Sequence, residues 1–229
     1  MQINLWSITH FQHLRKNRRN NKYRNEYKKK CFKHYLICYA KIQIPLPPTM
    51  KEPKNFIYIA YNKPVGIVCT TEKIEGNIID AIQYSERILP VGRLDKASEG
   101  LILMTNDGTI MNKITHPEFE HEKEYVVTLN LPLMTRFTKA VAEGMDIGIG
   151  VTNPCKITPE PGSRRIFRII LKQGINRQIR RMCNVFGYQV LKLQRVRIMN
   201  ITLGKLKVGE WRHLTEEEKT ELFASFAKH

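Results

Sequence analysis

Acidic side chains are scarce in this 229-residue chain: 21 Asp+Glu stand against 38 Lys+Arg, leaving a formal net charge of +17. A deficit of that size narrows the partners to polyanions (RNA, DNA or an anionic surface), which such a field steers into fast encounter. Long apolar runs are missing as well. No run approaches the roughly 18 residues that span a bilayer, and no early segment joins a charged start to an apolar stretch and a small-residue cleavage site. The expectation is a soluble, non-exported, cytoplasmic protein without a membrane partner. Paired cysteines are absent: Cys31, Cys38, Cys69, Cys155 and Cys183 are scattered, odd in number and form no Cys-x-x-Cys. That excludes a disulfide framework or a zinc site and points to reduced thiols. His116, His121 and His213 share no metal-ligand spacing, so no metal is expected. There is no internal repeat. What is present is 42% hydrophobic residues, enough for a real core in one or two domains.

The charge is uneven. Residues 1–50 hold eleven Lys/Arg against one acidic residue, Glu26, so about +10 of the +17 lies there. The polybasic stretch Arg15–Lys33, interleaved with Asn and Tyr, has no helical or strand period. It reads either as an RNA-binding arm, with basic groups on phosphates and tyrosines stacking on bases, or as a solvated tail. It is acid-poor, but its scarcity of Ser and wealth of Lys and Asn argue against a mitochondrial presequence. From Met50 the character changes, and residues 51–229 read as one α+β domain.

Within that domain Phe56–Tyr61 reads as a strand, Asn62–Gly66 as a turn and Ile67–Thr71 as the returning strand of a hairpin. Asn77 caps a short helix through Gln83, and Asp107-Gly108 precedes another, Thr109–Thr115. Glu122–Leu129 alternates as a strand, Leu133–Glu143 fits a helix ended by Gly144, and strands follow around Cys155–Thr158 and Arg165–Leu171. Ile175–Phe186 has helical spacing with Gly187 at its end. Two further strands, Gln189–Leu193 and Val196–Leu203, precede a last helix opened by the capping box Thr215/Glu218.

Three stretches carry chemistry. Between the apolar runs Ile88–Val91 and Leu101–Thr105 lies a polar loop that holds Asp95 at a bend, beside Arg93, whose guanidinium would keep the carboxylate ionised and nucleophilic. The same spacing also suits a surface ion pair. The stretch Lys172–Gly187 sets a glycine turn before a helix carrying Arg177, Arg180 and Arg181, which fits a phosphate or a carboxylate partner as well as a solvated face. Tyr125, on the alternating strand, reads on pattern alone as a core residue with its hydroxyl satisfied.

The order of residues adds to this. Gly-Arg-Leu-Asp (92–95) and Ser-Glu-Gly-Leu-Ile-Leu-Met-Thr-Asn-Asp-Gly (98–108) resemble the catalytic motif of the pseudouridine synthases that modify single uridines of ribosomal RNA, with Ser98 where the family usually has Thr. Tyr125 falls in the family's second motif, and Arg180 in its third, at the position whose basic residue pairs with the catalytic Asp in the family. The resemblance covers about residues 53–223. It implies an α+β fold, mainly an antiparallel multi-stranded sheet with flanking helices, and a cofactor-free isomerisation with Asp95, Tyr125 and Arg180 as catalytic residues. Asn62–Val68, Gln173–Cys183, Arg195–Asn200 and Gly209–Arg212 look most like members acting on 23S rRNA, some of which also act on a tRNA. The resemblance places Lys63, Arg93, Asn176, Arg177, Gln178, Arg181, Arg195 and Arg197 as substrate contacts, with Arg93 filling the gap left by a flipped base. Arg177 stands where many relatives have His. A monomer is expected. Such relatives usually begin with a small α-L RNA-binding domain whose helical pattern is not recognisable in residues 1–50. Either the basic arm substitutes for it or the working start is Met50. The competing reading is a non-catalytic RNA-binding or assembly protein that retains the fold.

Overall fold

The computed structural model describes residues 55–226, so the basic arm of residues 1–50 lies outside the described residues. In chain order the elements are β1 (Tyr58–Lys63), α1 (Ile78–Ile82), β2 (Leu89–Val91), β3 (Glu99–Thr105), α2 (Gly108–Thr115) and a 3-10 turn (Pro117–Phe119). There follow β4 (Lys123–Leu129), α3 (Thr135–Glu143), β5 (Lys156–Pro159), β6 (Ile166–Leu171), α4 (Gln178–Val185), β7 (Val190–Ile198), β8 (Ile201–Thr202), β9 (Trp211–His213) and α5 (Glu216–Ser225).

The strands form one sheet in the order β5-β6-β4-β7-β3-β1-β9, with β2 added to β3 and β8 to β7. Every pairing is antiparallel except β3 with β7, which run parallel for two residue pairs, Glu99↔Gln194 and Gly100↔Arg195. That short parallel contact joins the two halves of the sheet. It is possible only because position 100 is glycine: a Cβ there would lie 2.3 Å from the Arg195 carbonyl oxygen. On one half, Phe137 and Val141 of α3 and Ile179, Met182 and Cys183 of α4 pack against Val127, Leu129, Phe167, Ile169 and Leu193 of the strands. On the other half, α2 and α5 cover one face through Ile110, Ile114 and Leu222, and α1 covers the opposite face through Ile78 and Ile82. Burying these side chains is what drives the layers together, at roughly 1.5–3 kcal/mol for each large aliphatic one.

Local chemistry explains the helix ends. Asn77 accepts from the Ile79 and Asp80 amides, Asp107 from Thr109, and Thr215 with Glu218 closes a capping box, each satisfying amides that a helix start leaves without partners.

Three expectations are corrected. Ile67–Thr71 is not a returning strand: both edges of β1 are occupied, by β3 and by β9, and the segment makes only an isolated bridge, Val68↔Asn77. The cationic helix starts at Gln178 rather than Ile175, because Arg177 sits in the left-handed region at φ 53°, which an α-helix cannot pass through. The two strands expected over residues 189–203 are a long β7 followed by the short β8. The interruption expected at residues 194–195 appears instead as a register shift, where Glu124 faces Arg197 and Tyr125 faces Arg195, leaving Val196 as the extra residue.

Candidate active site

The β2–β3 connection carries Asp95. Leu94 is buried beneath it and its amide reaches Cys69 Sγ at 3.3 Å. The Ser98 amide closes the turn on the Asp95 carbonyl at 3.0 Å, and the Gly66 amide holds the Lys96 carbonyl at 2.8 Å. The loop is therefore tied to the β1–α1 segment and to its own base. The Asp95 side chain is left 30% exposed, at a cleft of about 550 Å³.

Two arginines face it. Arg177 Nη1 lies 3.6 Å and Arg180 Nε 3.8 Å from Asp95 Oδ2. They are not equivalent. Arg177 is half exposed, so its pair contributes at most about 1 kcal/mol. Arg180 is 14% exposed and is locked by donation from Nη2 to the Ala97 carbonyl at 2.8 Å and to Ser98 Oγ at 3.3 Å, and from Nη1 to the Val190 carbonyl at 3.2 Å. Burial, then the neighbouring Arg177 charge, pulls the Arg180 guanidinium below its ordinary value, and Asp95 opposes them. Arg180 thus grips both the loop backbone and its carboxylate. The hydroxyl of Ser98 is part of that grip, which gives a physical reason for a hydroxyl-bearing residue there.

Tyr125 forms the cleft wall from β4, packing against both the α3/α4 core and the α1 core. Its cross-strand neighbour is Arg195, which is buried and donates through Nε to the Leu101 carbonyl at 2.7 Å and through Nη1 to the Arg93 carbonyl at 3.4 Å. Lys123, two residues before Tyr125, lines the same cleft and donates to the His121 carbonyl at 3.0 Å. Sequence reasoning passed over Lys123, although the two-residue period of β4 places it on the face of Tyr125.

The other expected contacts fall in different places. Arg93 lines the cleft with an exposed side chain, but the carboxylate it was expected to hold pairs with Arg177 and Arg180. Asn176 and Arg177 are exposed on the cleft wall. Arg181, whose Nε donates to the Asn176 carbonyl at 3.1 Å, turns to a second groove behind α4. Gln178 is buried and shapes the turn, accepting from the Ile175 amide at 3.2 Å and donating to Gln173 at 3.2 Å. Lys63 is fully buried with Nζ donating to the Pro64 carbonyl at 2.7 Å, so it cannot touch RNA in this conformation. Burial lowers its pKa, while the charges of Cys69, Asp95 and Glu99 oppose that shift. Arg197 lies outside the cleft, bound to Glu122 at 2.9 Å and Glu124 at 3.0 Å. Among the described residues no three His, Cys, Asp or Glu side chains gather as metal ligands.

The arrangement is thus one carboxylate held by two guanidinium groups, with an aromatic ring and further cations around it, in a cleft wide enough for a nucleobase. Residues 57–185, which contain Asp95, Tyr125 and Arg180, match the RNA pseudouridylate synthase family. The chain belongs to that family. Over 174 residues it is 50% identical to the dual-specificity RNA pseudouridine synthase RluF of Salmonella typhi, covering 76% of this chain and 60% of that one. The RluF of Escherichia coli strain K12 is 49% identical over the same length. The ribosomal large subunit pseudouridine synthase B of Bacillus subtilis is 30% identical over 189 residues, covering 80% of this chain and 78% of that one. A pseudouridylate synthase crystal structure superposes with a TM-score of 0.68 at 31% identity, covering 76% of each chain. The chain therefore spans about 60% of the length of the RluF synthases it matches. The α+β fold expected from the sequence is the fold of the synthase family, with the mainly antiparallel sheet and flanking helices described above.

Proposed function

We propose that this chain is an RNA pseudouridine synthase that isomerises a specific uridine in 23S rRNA, and a tRNA uridine as a second substrate. The observation that carries this reading is Asp95, presented at the cleft and held by Arg180 and Arg177 at 3.8 and 3.6 Å beside the ring of Tyr125. The target nucleotide leaves its stack, which costs a few kcal/mol, and stacking on Tyr125 and contacts to the RNA backbone offset that cost. Asp95 assists cleavage of the C1′–N1 bond, whose electron pair leaves with the uracil. The base turns within the cleft, C5 bonds to C1′, the C5 proton departs and N1 regains a proton, so the net change is an isomerisation. Tyr125 lies beside the base and assists removal of the C5 proton. Arg180 holds the Asp95 loop and its carboxylate in place. Exposed Arg93, Asn176 and Arg177 hold the flanking RNA, with Arg93 occupying the gap in the stack.

In this reading residues 51–229 are the catalytic domain, working in the cytoplasm as a monomer without a cofactor. Asp95 and Tyr125 border one cleft and Arg180 braces Asp95 from the neighbouring groove; these are the positions at which a binding-only descendant would be free to change, so catalysis is preferred over a binding role. The test is release of tritium from 23S rRNA and tRNA transcripts made with [5-³H]uridine. One equivalent per RNA with the wild-type protein and none with Asp95→Asn supports the reading. No release from either RNA contradicts it.

A further inference from the structure

Arg195 is only 4% exposed, yet it borders the cleft. Two of its guanidinium nitrogens are engaged, Nε on the Leu101 carbonyl at 2.7 Å and Nη1 on the Arg93 carbonyl at 3.4 Å. The third, Nη2, is buried without a hydrogen-bond partner. A buried donor left unmade is costly, and this one belongs to a cation whose field also opposes the charges of Lys63 and Lys123. A fold keeps such a group when something else completes it. A phosphodiester is not that group, because the depth of Arg195 keeps it from an RNA backbone that runs over the surface. A planar base is. Tyr125 faces Arg195 across the β4–β7 pairing, and opposed side chains in a sheet have Cβ atoms about 4.5–5.5 Å apart, so a ring seated on Tyr125 lies next to the Arg195 side chain, and its edge meets Nη2 once the entering base displaces what covers that buried atom.

We propose that Arg195 Nη2 donates a hydrogen bond to a carbonyl oxygen of the flipped uracil. Arg195 then reads the base itself and stabilises the negative charge that spreads onto the ring oxygens as the C1′–N1 bond breaks. This rests on the synthase reading and deepens it. The chemistry of the rotation makes a single fixed donor sufficient. Turning uracil about the axis through N3 and C6 exchanges N1 with C5, as the reaction requires, and in the same motion exchanges O2 with O4. A donor aimed at one carbonyl before the turn meets the other after it. The engaged nitrogens hold Nη2 still during that turn and tie Arg195 to the backbone on either side of Asp95, to Arg93 in the loop and to Leu101 within β3.

The experiment pairs an atom change in RNA with a change in protein. RNA carrying the target uridine as 2-thio or 4-thio, sulfur being the weaker acceptor, is compared with unmodified RNA in single turnovers by wild type and by Arg195→Lys. With wild type, thio substitution should slow pseudouridine formation roughly tenfold or more, the worth of one hydrogen bond to a charged donor. With Arg195→Lys the same substitution should matter less than about twofold, because the contact is already gone. Equal thio effects in both proteins at both positions would overturn the proposal. A fold defect alone lowers all rates together and leaves the thio effect in place. If the lysine variant does not fold, a crystal structure of Asp95→Asn with bound RNA reads the same contact with Arg195 intact: Nη2 within about 3.5 Å of O2 or O4 supports it, and a base whose carbonyls are both turned away from Nη2 overturns it. Wild type failing on unmodified RNA would instead sink the synthase reading itself.

Discussion

Replacing Gly100 with alanine sets a Cβ 2.3 Å from the Arg195 carbonyl oxygen, 2.7 Å from its amide nitrogen and 3.0 Å from its carbonyl carbon, all backbone atoms that cannot swing aside. The position also sits at φ 105°, where a residue with a Cβ is strained by about 1–3 kcal/mol. Forcing the strands apart adds about 1–3 kcal/mol of overpacking, so the expected loss is about 2–6 kcal/mol from a domain whose total stability is of order 5–15 kcal/mol. The β3–β7 contact is only two residue pairs long, so the strain falls where the halves of the sheet meet and where Asp95 and Arg195 are set. In urea unfolding with a slope near 2 kcal/mol/M, a 4 kcal/mol loss lowers the midpoint by about 2 M. Gly108→Ala is the control, since nothing lies within 4 Å of a Cβ there, and its midpoint should hold or rise slightly. A Gly100→Ala protein with a wild-type midpoint would refute the close approach of β3 to β7.

Further outcomes separate structural from catalytic charges. Arg180→Gln, which breaks the grip on Ala97, Ser98, Val190 and Asp95, should lower kcat/KM by about 10²–10³-fold, as loss of one preorganised donor at a reacting group costs about 2.7–4 kcal/mol. Arg197→Ala should instead cost about 1–3 kcal/mol of stability through its lost bonds to Glu122 and Glu124, with kcat/KM per folded molecule within twofold of wild type. Burial works against the Asp107 charge, but hydrogen bonds from Thr109 and from the Tyr58 hydroxyl outweigh it and hold that carboxyl below its ordinary value. Its contribution is therefore complete above the ordinary carboxylate range and fades as pH falls through the lowered pKa. Asp107→Ala should melt lower at pH 7, by about 1–2 kcal/mol of lost cap, with the gap closing in acid. Burial pushes the Cys155 thiol up to about 11 and the Cys183 thiol up to about 12, so mass spectrometry after alkylation at pH 8 should find both unlabelled in the native protein and labelled in urea.

Much of the local structure was legible in the sequence because its causes are local. Asn77, Asp107 and the Thr215/Glu218 pair announce helix starts by satisfying nearby amides, and the apolar runs around residues 88–105 announce a strand–loop–strand unit with Asp95 at its bend. What escaped has distant causes. Ile67–Thr71 has strand composition but finds no free edge on β1, since β9 arrives about 150 residues later. Spacing alone offers the adjacent Arg93 as the partner of Asp95, whereas the charges that reach it come from the start of α4, Arg180 as the motif resemblance implies and Arg177 beside it. Arg180 was found through motif resemblance, as no spacing rule links it to residue 95. Arg197 and Lys63 show the converse: a basic residue beside a motif reads as an RNA contact until packing pairs it with glutamates or buries it.

Isomerisation of a uridine through Asp95 is tested by a map of pseudouridine in 23S rRNA and tRNA from cells lacking the gene, complemented by wild type or by Asp95→Asn. A discrete site is expected to disappear on deletion, to return with wild type and to stay absent with Asp95→Asn at an equal level of folded protein. A map unchanged by the deletion, or a site restored equally by both proteins, would contradict it.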